Sequence, residues 1–478
     1  MCRWFRRAMR GTVQTALLAA LVSLCWWSDG WGGPVEDVLL ENKQITVDQW
    51  VRLKAEEEKR EAKAMEQNRG VGDGQVRERW YEKINIRGYT QFRYSQQLNR
   101  QELSSPQGDR SLSPNNEFFL RRARLIVSGQ VHDRVFLYLQ PDFAGLVDGS
   151  EQVVTLRDGY ADLFLTEKKE WRIRAGLSKV PYGFENMQSS QTRLALDRND
   201  ALNSGVPNER DLGVFLYYTP TVVRERFRRL ADSGLKGPGD YGILGIGVYN
   251  GQGLNAREQN KSKHVVFHSM YPFELPNGQM IQVGMDAYTG QFQVNTASVV
   301  PAGGLSNPTG TARIPTLTNE ANYLDERVAW HFVVYPQPFG IQGEYTIGRG
   351  PELNTTRSEI VTGSLRGGYL QLFYNYQCDT FCQNVIPFVR YQEYFGGRKS
   401  VANAPRNSVR ELELGLEYQF NRALELTVTY AWTGRNSGDP AFNPASCTNE
   451  FNTNVPCINT PYQYNSGNLL RFQLQWNY

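Results

Sequence analysis

The chain closes on Leu469-Leu470-Arg471-Phe472-Gln473-Leu474-Gln475-Trp476-Asn477-Tyr478. Leu470, Phe472, Leu474, Trp476 and Tyr478 form a wholly apolar or aromatic set, and Arg471, Gln473, Gln475 and Asn477 a wholly polar one. A period of two puts the two sets on opposite faces of a β-strand. A half-buried strand of a soluble sandwich carries the same pattern, so the segment decides the fold only together with what precedes it.

From Ile84 onward the same period recurs. Strands are expected near 84–95, 117–130, 133–143, 155–166, 170–180, 209–219, 241–250 and 263–273. Eight more are expected near 279–289, 325–335, 339–347, 366–377, 385–395, 409–420, 423–433 and 467–478. Tilted strands of about 9–11 residues are what a hydrocarbon slab demands. The connections supply an independent test, because outer-membrane barrels alternate short periplasmic turns with long external loops. Here 96–116, 144–154, 181–208, 251–262, 290–324, 348–365, 396–408 and 434–466 are long, and the alternate connections are short. The exception is 220–240, which reads as a short periplasmic helix. The fold expected is an all-β transmembrane protein: a sixteen-stranded antiparallel outer-membrane β-barrel over 84–478, preceded by a helical segment. A final strand ending on an aromatic residue suits that fold.

Composition agrees. Apolar residues make up 40% of the 478 and mean hydropathy is -0.51, which excludes a bundle of apolar membrane helices. The 25 Tyr, 23 Phe and 10 Trp suit aromatic girdles around a wet interior. One apolar run, Ala16–Leu24, follows Arg3, Arg6, Arg7 and Arg10 and precedes a Gly-rich turn. That is the layout of a signal peptide over 1–32. Its removal takes four Arg and one Asp from a net charge of +3, leaving zero. No global basic surface points to nucleic acid. Residues 33–83 are the expected periplasmic helical segment: Thr46 and Gln49 fit a capping box and Lys54–Met65 is rich in helix formers. A coiled coil and a solvated helix both remain open there. The four remaining cysteines form two close pairs, Cys378 with Cys382 and Cys447 with Cys457. In an exported chain these read as two local disulfides, a CxxxC metal site being the rival without a nearby His.

Within a barrel the polar face lines the lumen, where charge sets selectivity. The second strand is densest in base: Phe118-Phe119-Leu120-Arg121-Arg122-Ala123-Arg124. Alternation turns Arg122 and Arg124 inward and leaves Arg121 outward or at a bend. Arg172 and Arg174 of the fifth strand, and Arg87 and Arg93 of the first, also face inward. Guanidinium forks suit transient relay of oxyanions. The same arginines could instead pair with lumen acids such as Asp158, Asp162, Glu411, Glu413 and Glu417 and stiffen the wall. The third long loop carries Arg193, Asp197, Arg198 and Asp200, and is expected to fold inward and narrow the pore, an ordinary surface loop being the alternative.

The chain resembles the phosphate-selective porin O/P family. The resemblance rests on FFLRRARL (118–125), LRDGYADLFL (156–165), IRAGLSKVPYGFE (173–185), ERDLGVFL (209–216), GVYNGQGLN (247–255), PFVRYQEYF (387–395) and the terminal LLRFQLQWNY. It implies a homotrimer in outer-membrane lipid and an arginine-lined constriction. Arg121 and Arg122 match the family's paired arginines, Asp158 its fourth-strand acid, and Arg193 or Arg198 a third-loop arginine. One departure concerns phosphate: residues 290–324 hold no Lys and only Arg313, where phosphate-specific members are similar in clustering lysines.

The function expected is passive diffusion of small anions, phosphate or polyphosphate among them, with no cofactor, metal or catalysis. The rival is a general or structural barrel without anion specificity, tied to the envelope by its N-terminal helix. A barrel hydrolase needs a Ser–His pair. The chain has only His132, His264, His268 and His331, and the adjacent His268 and Ser269 point to opposite faces.

Overall fold

The computed structural model describes residues 83–98, 116–147, 150–296, 322–354, 359–378, 381–401, 403–437 and 463–478. The signal peptide, the helical segment up to residue 82 and the Cys447–Cys457 pair lie outside the described residues.

Sixteen strands form among the described residues. The first eight are β1 (Ile84–Gln97), β2 (Phe118–His132), β3 (Val135–Val147), β4 (Ser150–Phe164), β5 (Trp171–Lys179), β6 (Arg210–Tyr218), β7 (Leu244–Tyr249) and β8 (His264–Glu274). Then follow β9 (Met280–Phe292), β10 (Tyr323–Val334), β11 (Phe339–Leu353) and β12 (Ile360–Tyr374), which continues past Asn375 as Tyr376–Gln377. The last four are β13 (Asn384–Gly397), β14 (Arg406–Asn421), β15 (Leu424–Ser437) and β16 (Gln463–Asn477). Every strand pairs antiparallel with its successor, and β1 pairs with β16 from Tyr89↔Asn477 to Gln97↔Leu469. The sheet is therefore closed and has no edge, which is what lets a backbone satisfy all its polar groups in lipid. Tyr478 completes the seam: its carbonyl accepts from Gly88 N at 2.6 Å and its N–H donates to Gly88 O at 3.0 Å.

The burial pattern is inverted relative to a water-soluble sheet. On β14, Leu412, Leu414 and Leu416 are 40–43% exposed, whereas Glu411, Glu413 and Glu417 are 1–4% exposed. Only an apolar solvent outside makes that arrangement favourable. Trp171, Phe339, Tyr374, Phe420 and Trp476 stand exposed at the short-turn end of the outer wall.

The short turns include Asp133–Arg134 and Arg422–Ala423. Two connections are shorter than the sequence pattern suggests. In place of a loop at 144–154, β3 runs to Val147 and β4 begins at Ser150; within 348–365, β11 reaches Leu353 and β12 begins at Ile360. Ladder hydrogen bonds satisfy the backbone beyond the slab as well as inside it, so the hairpins continue.

Among the described residues two helices lie in the third long loop and a third covers the short-turn end. The third long loop carries α1 (Phe184–Met187) and α2 (Asp200–Gly205), the latter capped by Asn199, whose side chain accepts from Leu202 N at 3.1 Å. The 219–243 connection contains α3 (Thr221–Asp232), whose Val223, Phe227 and Leu230 form one buried stripe. That stripe packs with Phe184 and Met187 of the loop and with Met270, Met280, Val333 and Tyr335 of the wall. The β8–β10 side of the lumen is thus filled, and the open space lies toward β2–β5.

Candidate functional site: an arginine cavity beside the third loop

Two β-bulges create the site. Between β1 and β2, Gln91 pairs with Arg122 and Phe92 with Leu120, so Arg121 is an extra residue. Between β3 and β4, Gln140 pairs with Asp158 and Pro141 with Leu156, so Arg157 is extra. A bulge re-aims the side chain that strict alternation would send to the other face. Both arginines consequently line an internal cavity of about 220 Å³ together with Arg122 of β2 and Arg193 and Arg198 of the third loop. Two carboxylates, Asp197 and Glu209, share that lining.

The third loop reaches this position because the wall grips it at successive points. Gly183 begins the inward turn at φ 82°, where a side chain would run into Leu202. Its N–H donates to Asp286 Oδ2 at 2.7 Å. Arg390 of β13 holds Glu185 at 2.6 and 3.0 Å. Asp197 meets Arg93 at 3.0 Å, Arg471 at 2.8 Å and Arg121 at 3.4 Å. Arg435 of β15 takes Asp200 at 2.7 Å, and Arg327 of β10 donates to Ser204 Oγ at 2.6 Å and Ser204 O at 3.0 Å. Buried charges held in pairs of this kind fix a geometry, and removing one partner costs far more than the pair contributes.

Charge in the cavity is unbalanced. Arg122 forms no ion pair among the described residues; its Nη1 donates to Gln91 Oε1 at 2.6 Å and its buried Nε has no hydrogen-bond partner. Arg157 approaches Asp142 at 3.5 Å, a carboxylate already bonded to Arg124 at 2.9 Å. Glu209 faces Arg198 at 3.3 Å and Arg193 at 3.8 Å and is in contact with Arg210 as well. Burial alone would raise the Glu209 carboxyl, but these guanidinium groups and Lys179 hold it well below the usual carboxylate range. Five guanidinium groups thus line a space with two carboxylates, each of which also serves arginines outside the lining.

A second cavity of about 500 Å³ opens toward the short-turn end. Arg87, Arg124, Arg174, Lys179, Arg210 and Lys236 line it with Asp158, Asp240 and Glu425, and with Tyr138, Tyr160 and Tyr241. Here most of the bases are tied to acids: Arg210 pairs with Asp158 at 2.9 Å, Arg124 with Asp142 at 2.9 Å, Lys236 with Glu417 at 2.7 Å, and Arg174 with Asp162 at 2.7 Å while lying over the Tyr160 ring at 3.9 Å. Arg122 lines the first cavity and Arg124 the second. Between them Arg124 Nη1 donates to Tyr89 Oη at 2.8 Å and Ser190 Oγ at 3.2 Å.

The sequence-selected residues therefore separate into groups. Arg121, Arg122, Arg193 and Arg198 meet in the first cavity; Arg87, Arg124, Asp158 and Arg174 line the second. Arg93 is fully buried and holds Asp197 and Gln473. Arg172 lies outside both linings, at 2.8 Å from Asp240 and 3.7 Å from Asp162. Arg157, Arg210, Arg327, Arg390 and Arg435 escaped the sequence reading. Alternation along 385–395 could have found Arg390, but nothing local announces the bulge that turns Arg157. Cys378 and Cys382 are bonded to each other, with Cα atoms 5.4 Å apart. No group of three or more His, Cys, Asp or Glu among the described residues is placed to hold a metal ion.

No curated protein matches the chain. Among solved structures it is similar to the outer membrane channel DcaP of Acinetobacter baumannii, at 12% identity and a TM-score of 0.46 over 83% of this chain and 97% of that one. It is similar to OprB of Pseudomonas putida at 7% identity and a TM-score of 0.46, over 83% and 94%. An anion-selective porin from Comamonas acidovorans gives 8% identity and a TM-score of 0.41, over 83% and 99%. The family profile of phosphate-selective porin O and P matches residues 96–455. That match runs from the end of β1 into the connection after β15, and the chain therefore belongs to the phosphate-selective porin O and P family of Gram-negative outer-membrane channels.

Proposed function

We propose that this porin is a homotrimeric passive channel for small anions, with the cavity of Arg121, Arg122, Arg157, Arg193 and Arg198 as its selective step. The observation that carries this reading is the excess of guanidinium over carboxylate in a confined space. Low-dielectric walls around charge of one sign concentrate the counter-ion and repel its opposite. Forked donors replace part of an oxyanion's hydration shell, and adjacent sites along β2 let the ion leave one for the next. Chloride and phosphate both fit that chemistry.

The test is the zero-current potential of the purified channel in a planar bilayer under a potassium chloride gradient. The expected sign is that of chloride permeation, with phosphate reducing chloride current. Arg122→Ala removes a cavity cation that forms no ion pair among the described residues, and is expected to lower the chloride-to-potassium permeability ratio about tenfold or more, in line with about 1.5–3 kcal/mol for one hydrogen bond to a charged group. A wild-type preference for potassium, or an Arg122→Ala channel with undiminished anion preference, overturns the reading. A second reading rests on the many arginines already paired with acids: a stiffened barrel without ion preference. It requires a zero-current potential near zero.

A further inference from the structure

We propose that the outer wall at the long-loop end carries a binding site for an acylated lipid with a phosphorylated headgroup. The outward residues of β10–β14 change character at one level. Trp330 and Val328 give way to Glu326 on β10, Tyr345 and Ile347 to Arg349 on β11, and Leu370 and Gly368 to Arg366 on β12. On β14, Leu416, Leu414 and Leu412 give way to Arg410. The register places Glu326 opposite Arg349, Arg366 opposite Phe395 and Glu393 opposite Arg410. The line where apolar side chains stop is where hydrocarbon meets headgroups.

A groove of about 920 Å³ lies at that line. Phe267, Ala287, Val328 and Ile347 contribute to its apolar floor, and Arg349, Arg366 and Arg406, with the carboxylate Glu326, to its charged rim. It is concave because the small side chains Ala287, Thr289 and Ser364 stand among larger neighbours. Arg349 is paired with Glu326, and Arg406 lies 3.9 Å from Glu352. Arg366 and Arg410 form no ion pair among the described residues. Their guanidinium carbons lie 5.5 Å from the centroid of the same ring, Phe395. Two forked cations held together by one aromatic ring, neither tied to a carboxylate although Glu393 stands opposite Arg410, sit above an apolar trough and match a phosphate above acyl chains in both charge and polarity. Long loops mark the extracellular side, where the lipid of a Gram-negative outer membrane is a phosphorylated glycolipid.

The test is native mass spectrometry of the full-length porin in detergent. It would be titrated with bis-phosphorylated lipid A, with the same lipid stripped of its phosphates, and with inorganic phosphate. Bis-phosphorylated lipid A is expected to bind at least about tenfold more tightly than the stripped form, the scale of one charge-assisted hydrogen bond. The double variant R366Q/R410Q should lose that preference while keeping its folded electrophoretic mobility and the wild-type zero-current potential, since neither residue faces the lumen. Millimolar inorganic phosphate should not displace the lipid, because it does not occupy the trough. Equal binding of both lipids, absence of adducts, displacement by free phosphate, or a variant that binds as the wild type overturns the site. A variant that instead loses its oligomeric mass makes the groove a contact between copies of this chain, and overturns it equally.

Discussion

Asp197 is where the two roles of lumen arginine meet. Arg93 and Arg471 use it to hold the third loop, while Arg121 reaches it from the cavity lining. Its charge therefore steadies the loop and subtracts from the positive field. Asp197→Asn keeps the shape and removes the charge. Two consequences are expected: a zero-current potential closer to that of an ideal chloride channel, and a loss of about 3–5 kcal/mol in unfolding stability, the usual cost of leaving buried charge unpartnered. Bilayer recordings and urea unfolding in lipid vesicles measure the two separately. Selectivity that falls together with stability would mean that Asp197 acts only as a fastener.

At the scale of elements, the third loop and α3 decide how much lumen is left. The loop is anchored most deeply by Glu185, whose partner Arg390 is 205 residues away in sequence. Burial alone would raise the Glu185 carboxyl, but Arg390 and Arg193 outweigh it and hold the group below its ordinary range. A carboxyl depressed on folding stabilises fully above its unfolded value and loses that contribution only as pH falls through the lower, folded value. Loop protection in hydrogen exchange should thus be level from neutral pH down to the ordinary carboxylate range and decline below it. Arg390→Ala should lower protection around Glu185 and remove its pH dependence, leaving the strands and the Asp200 and Ser204 anchors intact. The segment after α3 crosses to the opposite wall, where Lys236 Nζ meets Glu417 at 2.7 and 3.0 Å. Lys236→Ala is expected to free this segment and raise single-channel conductance; an unchanged conductance would show that it does not obstruct the path.

At the scale of the molecule, the inverted barrel makes lipid part of the folding energetics. Leu414 sits mid-belt, exposed, with Glu413 buried beside it. Leu414→Arg should cost about 2–4 kcal/mol, as arginine does at the midplane of an outer-membrane barrel. Urea titration of vesicle-folded protein followed by tryptophan fluorescence reads that loss. The same substitution in a water-soluble sheet would be nearly neutral, so the experiment distinguishes lipid from water outside β14.

Much of this was legible in the chain. A period of two is a local property, and it placed all sixteen strands and turned Arg122, Arg124, Arg174, Arg471 and the Glu411/Glu413/Glu417 row inward. The terminal LLRFQLQWNY reads correctly for the same reason: Phe472 and Trp476 stand outside, while Gln473 and Gln475 bond to Arg93 and Gln91 within. The composition of 220–240 gave its helix, but not that α3 would seal one side of the lumen.

Alternation fails where the ladder slips, since a bulge depends on how two strands register and not on either sequence alone. Arg121 and Arg157 entered the cavity by that route. Charge pairing lies further out of reach: Arg435 finds Asp200 across 235 residues, and only the closed barrel brings them together. The sequence by itself determined the architecture and which arginines face inward wherever the ladder keeps its register, because both follow from a two-residue repeat. Tertiary structure alone decided which of those arginines are tied to acids and which, like Arg122, form no ion pair among the described residues, because that depends on where the third loop comes to rest.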